Sequence, residues 1–135
     1  MAKMEWYNDG AFPECHLWGE KFNPNILNNI PQIIITNSIA TGEIGKRGKY
    51  KNHPTPYGAC QIIVPREIKQ GEKIIWLADF IIKHKSDFEK AGATKNVFWI
   101  YWFGGQGNME LSEEEIEKIY KTKLPLAMDY IFNEE

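Results

Sequence analysis

The hydrophobic positions of this chain follow two periods, and the switches between them mark its elements. Glu14–Gly19 alternates, with Cys15, Leu17 and Gly19 on one side, which predicts a strand. Phe22-Asn23-Pro24 follows. Asn23 is a good N-cap, Pro24 suits the first helical position, and Phe22 and Leu27 hold the staple positions, so a short helix is expected over Pro24–Ile30. Pro31 ends it. The β-branched run Ile33-Ile34-Ile35-Thr36, within Gln32–Ala40, predicts a strand buried on both faces. Ala59–Val64 is the next strand, closed by Pro65. From Ile68 to Ala91, Ile74, Leu77, Ala78, Ile81, Ile82 and Phe88 recur at spacings of three and four, which predicts the longest helix. Gly71 moves its regular start to near Glu72, Asp79 and Lys83 are spaced as an i,i+4 pair, and Gly92 is the natural stop.

The last third is the most regular. Val97–Phe103 is a strand of high aromatic density, and Gly104-Gly105-Gln106-Gly107-Asn108 turns. Met109–Leu111 is expected to resume extended structure. Ser112 to Glu115 is a capping box, Leu111 and Ile116 hold staple positions, and Ile116, Ile119 and Tyr120 form an apolar stripe. After Pro125, Leu126–Phe132 alternates with Leu126, Met128, Tyr130 and Phe132 on one face. Two segments break both periods. Met1–Pro13 is mixed and turn-rich. Thr41–Pro56 holds three glycines, Lys46, Arg47, Lys49, Lys51 and His53, and reads as a loop or loose hairpin arm.

The order is β-α-β-β-α-β-α-β. It predicts a single α+β domain over 1–135, with a largely antiparallel sheet of about five strands and helices on one face. Glu14–Ser38 and Val97–Phe132 read as two versions of one β-α-β unit.

Composition narrows the function classes. The chain has 135 residues, is 43% apolar and 25% charged, and carries a net charge of −2. That balance gives no general drive toward nucleic acid or anionic membrane. No apolar run is long enough to span a bilayer and the first residues lack a signal-peptide core, so a cytoplasmic protein is expected. Cys15 and Cys60 are then two buried thiols in a reducing compartment.

No catalytic constellation stands out. Cys15, His16, His53, Cys60 and His84 are the candidate metal ligands, but none has metal-site spacing, and neighbouring strand residues point to opposite faces. No metal and no cofactor is expected. A Cys/His nucleophile pair lacks any activating local sequence. The Gly104–Gly107 turn is not a phosphate loop, and three acids at the next helix start repel an anion. The Lys46–Lys51 arm with Tyr50 and Tyr57 is a weak nucleic-acid signal. In the aromatic strand one parity must face the core. The other, if exposed, marks a binding surface.

Three passages carry a resemblance. Leu17-Trp18-Gly19-Glu20-Lys21-Phe22-Asn23-Pro24, Gly45-Lys46-Arg47-Gly48, and Met109-Glu110-Leu111-Ser112-Glu113-Glu114 with the helix and strand after it resemble the DUF4279 domain family. Those are small bacterial α+β domains, often encoded beside polymorphic or contact-dependent toxins and thought to act as immunity proteins. The resemblance implies a cytoplasmic protein that binds a cognate toxin, such as the C-terminal nuclease domain of a contact-dependent inhibition system, and blocks its active site. It implies no catalytic residues. A basic nuclease cleft would be met by acidic residues, for which Glu113, Glu114, Glu117, Glu134 and Glu135 are the candidates. Two alternatives stay open: a small hydrolase using a Cys/His pair, and an RNA- or small-molecule-binding regulator using the aromatic strand and the Lys46–Lys51 arm.

Overall fold

The computed structural model describes residues 10–104 and 109–132. Among the described residues five strands form one sheet: β1 (Gly10–Gly19), β2 (Ile35–Ile39), β3 (Gly58–Ile63), β4 (Lys95–Gly104) and β5 (Leu126–Phe132). Two α-helices, α1 (Lys73–Lys90) and α2 (Glu113–Thr122), complete the expected α+β order. The short helix after β1 is a 3-10 helix, Pro24–Asn29, started by the Asn23 side chain accepting from the Asn25 N–H. The spatial order is β2-β3-β1-β4-β5, antiparallel except for the β4–β5 pair.

The two β-α-β units are therefore not equivalent. β4 and β5 are adjacent and parallel, joined through α2. β1 and β2 run the same way but are separated by β3, so the N-terminal unit is opened by an inserted strand. β2 is also not buried on both faces. It is an edge strand with a register shift between Thr36 and Ile39, and Ile34 before it is exposed. A β-branched run fits either a central or an edge strand, and pairing alone decides.

β1 begins earlier than its alternation suggests and passes through Pro13. The β4 side of β1 is paired from Gly10, but the β3 side begins only at Glu14. Proline is tolerated there because the second ladder has not yet started.

Register places Cys15, Leu17, Cys60, Ile62, Phe98 and Ile100 on one face, all buried. α1 packs on that face across β1 with Ile74, Leu77, Ala78, Ile81 and Phe88. Ile82, counted in its apolar stripe, is exposed. Asp79 does not pair with Lys83. It takes the Lys118 ammonium of α2 at 2.8 Å instead.

α1 ends at Gly92, whose φ of +105° is open to glycine at little strain. A Cβ there would also strike the Lys21 carbonyl. This close approach lets the Asn23 N–H donate to the Ala91 carbonyl at 3.0 Å and locks the β1 turn against the helix end.

α2 starts at a complete capping box. The Glu115 N–H donates to Ser112 Oγ, and the Ser112 N–H donates to Glu115 Oε1. Its packing differs from the expected stripe. Ile119 and Thr122 are buried against α1, whereas Ile116 and Tyr120 are exposed. The expected extended stretch Met109–Leu111 forms no strand. The rest of the glycine turn after Gly104, and Glu134 and Glu135, lie outside the described residues.

Candidate functional site

Two surfaces of the protein carry chemistry that the core does not need. The first is carried by α2 and β5. Eleven large hydrophobic side chains are exposed among the described residues, and seven of them lie between Met109 and Ile131. Leu126, Met128 and Tyr130 share the helix side of the sheet, because their partners across β4 are the core residues Phe98, Ile100 and Trp102. They remain 42–46% exposed, so the helices stop short of this edge.

Along α2, Glu113, Ile116, Glu117 and Tyr120 recur at spacings that put them on one stripe, and all four are exposed. Three of the acidic candidates, Glu113, Glu114 and Glu117, are thus at the surface beside exposed apolar residues. They are not a bare acidic patch. Lys121 lies 3.6 Å from Glu117, and the Lys123 ammonium sits 3.8 Å over the Tyr120 ring. The hydrogen bond and charge of Asp79 hold the Lys118 ammonium above the usual lysine range, with smaller help from Glu114 and Glu117.

The second surface is the face of the sheet that carries no helix among the described residues. Strand parity sends Phe12, Glu14, His16 and Trp18 of β1 to this side, with Ala59 and Gln61 of β3 and Val97, Trp99, Tyr101 and Phe103 of β4. The aromatic strand therefore does both things its composition allows. Phe98, Ile100 and Trp102 fill the core, and Trp99, Tyr101 and Phe103 stand half-buried on the open side.

The open side is ordered by polar contacts. His16 stacks on Trp99 with centroids 4.6 Å apart and planes 15° apart. Glu14 Oε1 lies 3.0 Å from His16 Nε2. The Trp99 indole N–H donates to Asp129 of β5 at 3.0 Å. Burial, then the Glu14 and Asp129 carboxylates, raises the Tyr101 phenol above its usual range.

At the other end of this face stands the Thr41–Pro56 arm, which is better fastened than a loose loop. The Gly42 and Thr55 N–H groups donate to Thr55 and Glu43 carbonyls, and the Gly45 N–H to the His53 carbonyl. An aromatic line joins arm to sheet: Tyr50 to Tyr57 at 6.0 Å, then Tyr57 to Trp18 at 5.6 Å.

The cysteines belong to neither surface. Both are free and buried under the helices. Burial pushes the Cys60 thiol up to about 12, and burial together with Cys60 raises Cys15 further. These are inert thiols, the reverse of an activated nucleophile. His16 is on the opposite face from both, and His84 is held by Asp87 at 3.0 Å. Among the described residues, no three His, Cys, Asp or Glu side chains gather as a metal would require. No described helix is long and apolar enough to cross a membrane.

Several residues of the open face escaped sequence reasoning. His16 and Trp18 were findable, since they hold the parity opposite Cys15 and Leu17. Asn37 was not. It reaches this face through the irregularity in β2, which leaves no periodic signal. Comparison of the chain with protein-family models, with curated proteins and with solved structures found no match.

Proposed function

We propose that this protein acts by binding rather than by turnover, as a cytoplasmic immunity protein that occupies a bacterial toxin domain through its α2–β5 edge. The observation that carries this reading is the concentration of exposed apolar side chains there. Ile116 and Tyr120 alternate with Glu113 and Glu117 along one helical stripe, and Leu126, Met128 and Tyr130 are exposed on β5. Apolar anchors within a polar rim are the anatomy of a protein interface. The carboxylates suit a basic partner such as a nuclease cleft, where they would speed encounter more than they tighten the complex. The likeness of the capping passage and its flanks to the DUF4279 domains supports the same reading.

The partner to try is the product of the gene immediately upstream. Co-expression should protect cells from that product, and the two should co-purify. Ile116→Arg and Tyr120→Ala should each abolish protection while leaving the fold unchanged, because neither side chain enters the core. Absence of both protection and complex would sink the proposal.

A further inference from the structure

The open face holds a depression that the toxin reading does not use. It exists because small side chains stand among large ones. Register puts Ala59 beside Trp18, and Val97 beside His16. The low floor is walled by Trp18 on one side and by the His16–Trp99 stack on the other. The resulting cavity is about 390 Å³, within the range of roughly 300–1,000 Å³ that binds small ligands.

Its rim is polar and held in place. Asn37 sits at φ 51°, a left-handed conformation that asparagine tolerates better than most residues. From there its Nδ2 donates to Gln61 Oε1 at 2.7 Å. Thr36 Oγ1 also reaches that oxygen, at 3.5 Å. With its carbonyl oxygen engaged, Gln61 has its amide N–H groups left to donate, and Asn37 has its own carbonyl left to accept. An adjacent donor and acceptor are what the edge of a nucleobase requires.

Basic side chains predominate in the lining of the depression and its neighbour. Lys95, opposite Trp18 in the register, is on its rim. A second cavity of about 670 Å³ adjoins it through Asn37 and is lined by Lys46, Arg47 and Lys49 of the arm. None of these cations forms an ion pair among the described residues. The one carboxylate there, Glu43, is held by the Ala40 N–H at 2.8 Å. Lys49 lies 5.5 Å from the Tyr50 ring, at the start of the Tyr50–Tyr57–Trp18 line.

We propose that this face binds a short single-stranded nucleic acid. One base occupies the depression over Ala59 and Val97 between the two indoles, read by Asn37 and Gln61. The backbone runs toward Lys95 and the basic arm. Two adjoining cavities and an aromatic line longer than one ring favour a strand over a lone nucleotide. The net charge of −2 does not oppose this, because the open-face carboxylates Glu14 and Asp129 line neither cavity. The proposal is independent of the α2–β5 edge and stands or falls separately from the toxin reading.

The test uses the full chain with fluorescein-labelled eight-nucleotide oligo-U and oligo-A RNA, followed by anisotropy, with unlabelled AMP and UMP as competitors. Saturable binding is expected that weakens steeply as salt rises. Trp18→Ala and Trp99→Ala should each weaken it about tenfold, the usual effect of losing one stacking platform. The triple variant Lys46→Ala, Arg47→Ala, Lys49→Ala should weaken it and flatten the salt dependence. Lys90→Gln, on the helix side, should leave it unchanged. Lys95→Gln, an exposed position, keeps the test open should an indole variant fail to fold. A flat anisotropy at every salt concentration overturns the proposal. Binding that both indole variants and the Lys95 variant leave intact does so too. Competition by AMP or UMP as strong as by the unlabelled oligomers overturns the strand in favour of a free nucleotide.

Discussion

The two faces of one strand differ more than any two strands of this protein. On β4, Phe98, Ile100 and Trp102 lie under the helices and are shut off from water, while Trp99 and Tyr101, one residue away, stand half-buried with no helix over them. The side chains are chemically similar and the neighbouring strands are the same. Only parity separates them. An aromatic residue on this sheet is thus a core residue or a surface residue by position alone, and its hydrogen bonds follow suit. Trp99 has Asp129 at the surface, whereas the buried Trp102 indole N–H finds no partner among the described residues.

That difference is most sharply broken or confirmed by matched truncations. Phe98→Ala should destabilise the fold by about 3–5 kcal/mol, through lost burial and a cavity that cannot collapse. Trp99→Ala should remove only about 1–2 kcal/mol, from one hydrogen bond and the stacks on His16 and Tyr101. Urea unfolding followed by circular dichroism measures both, and equal effects would mean that the open face is part of the core.

A pH-dependent effect comes from the thiols under the helices. The Cys60 thiol is pushed up to about 12 from an ordinary value of 9.0. The unfolded chain releases that proton near pH 9, while the folded chain keeps it. Stability is therefore unaffected below pH 9 and falls as pH rises from 9 toward 12. Urea midpoints at pH 8 and pH 10.5 should differ more in the native chain than in a Cys15→Ala, Cys60→Ala variant. Equal differences would place the thiols in contact with water. The smallest effect belongs to the helix side. Asp79→Asn breaks the Lys118 bridge at the surface and should lower the urea midpoint only slightly, an effect that fades in high salt.

Local chemistry made much of this fold readable from the chain. The Ser112–Glu115 box, the Asn23 cap, the Gly92 stop and the alternation of Cys15 and Leu17 are each set by residues within a few positions, and each holds in the structure. What failed is non-local. The partner of Asp79 is 39 residues away on another helix. The insertion of β3 between β1 and β2 depends on which strands find each other. Ile116 and Tyr120 are helical in spacing but face outward, because α2 rests on α1. The candidate surfaces follow the same rule. The acids on α2 were visible as a local run, whereas the depression over Ala59 and Val97 needs three strands in register before it exists.

The sheet order also governs how copies of the chain can stick together. One border strand, β2, is short and jogged at Asn37, which spoils it as a template. The other, β5, is seven residues long, and among the described residues only β4 pairs with it. Growth from a single usable border has no second border to continue from. Pairing through β5 would bring two copies together around a two-fold axis and stop there, as a closed dimer and not a fibre.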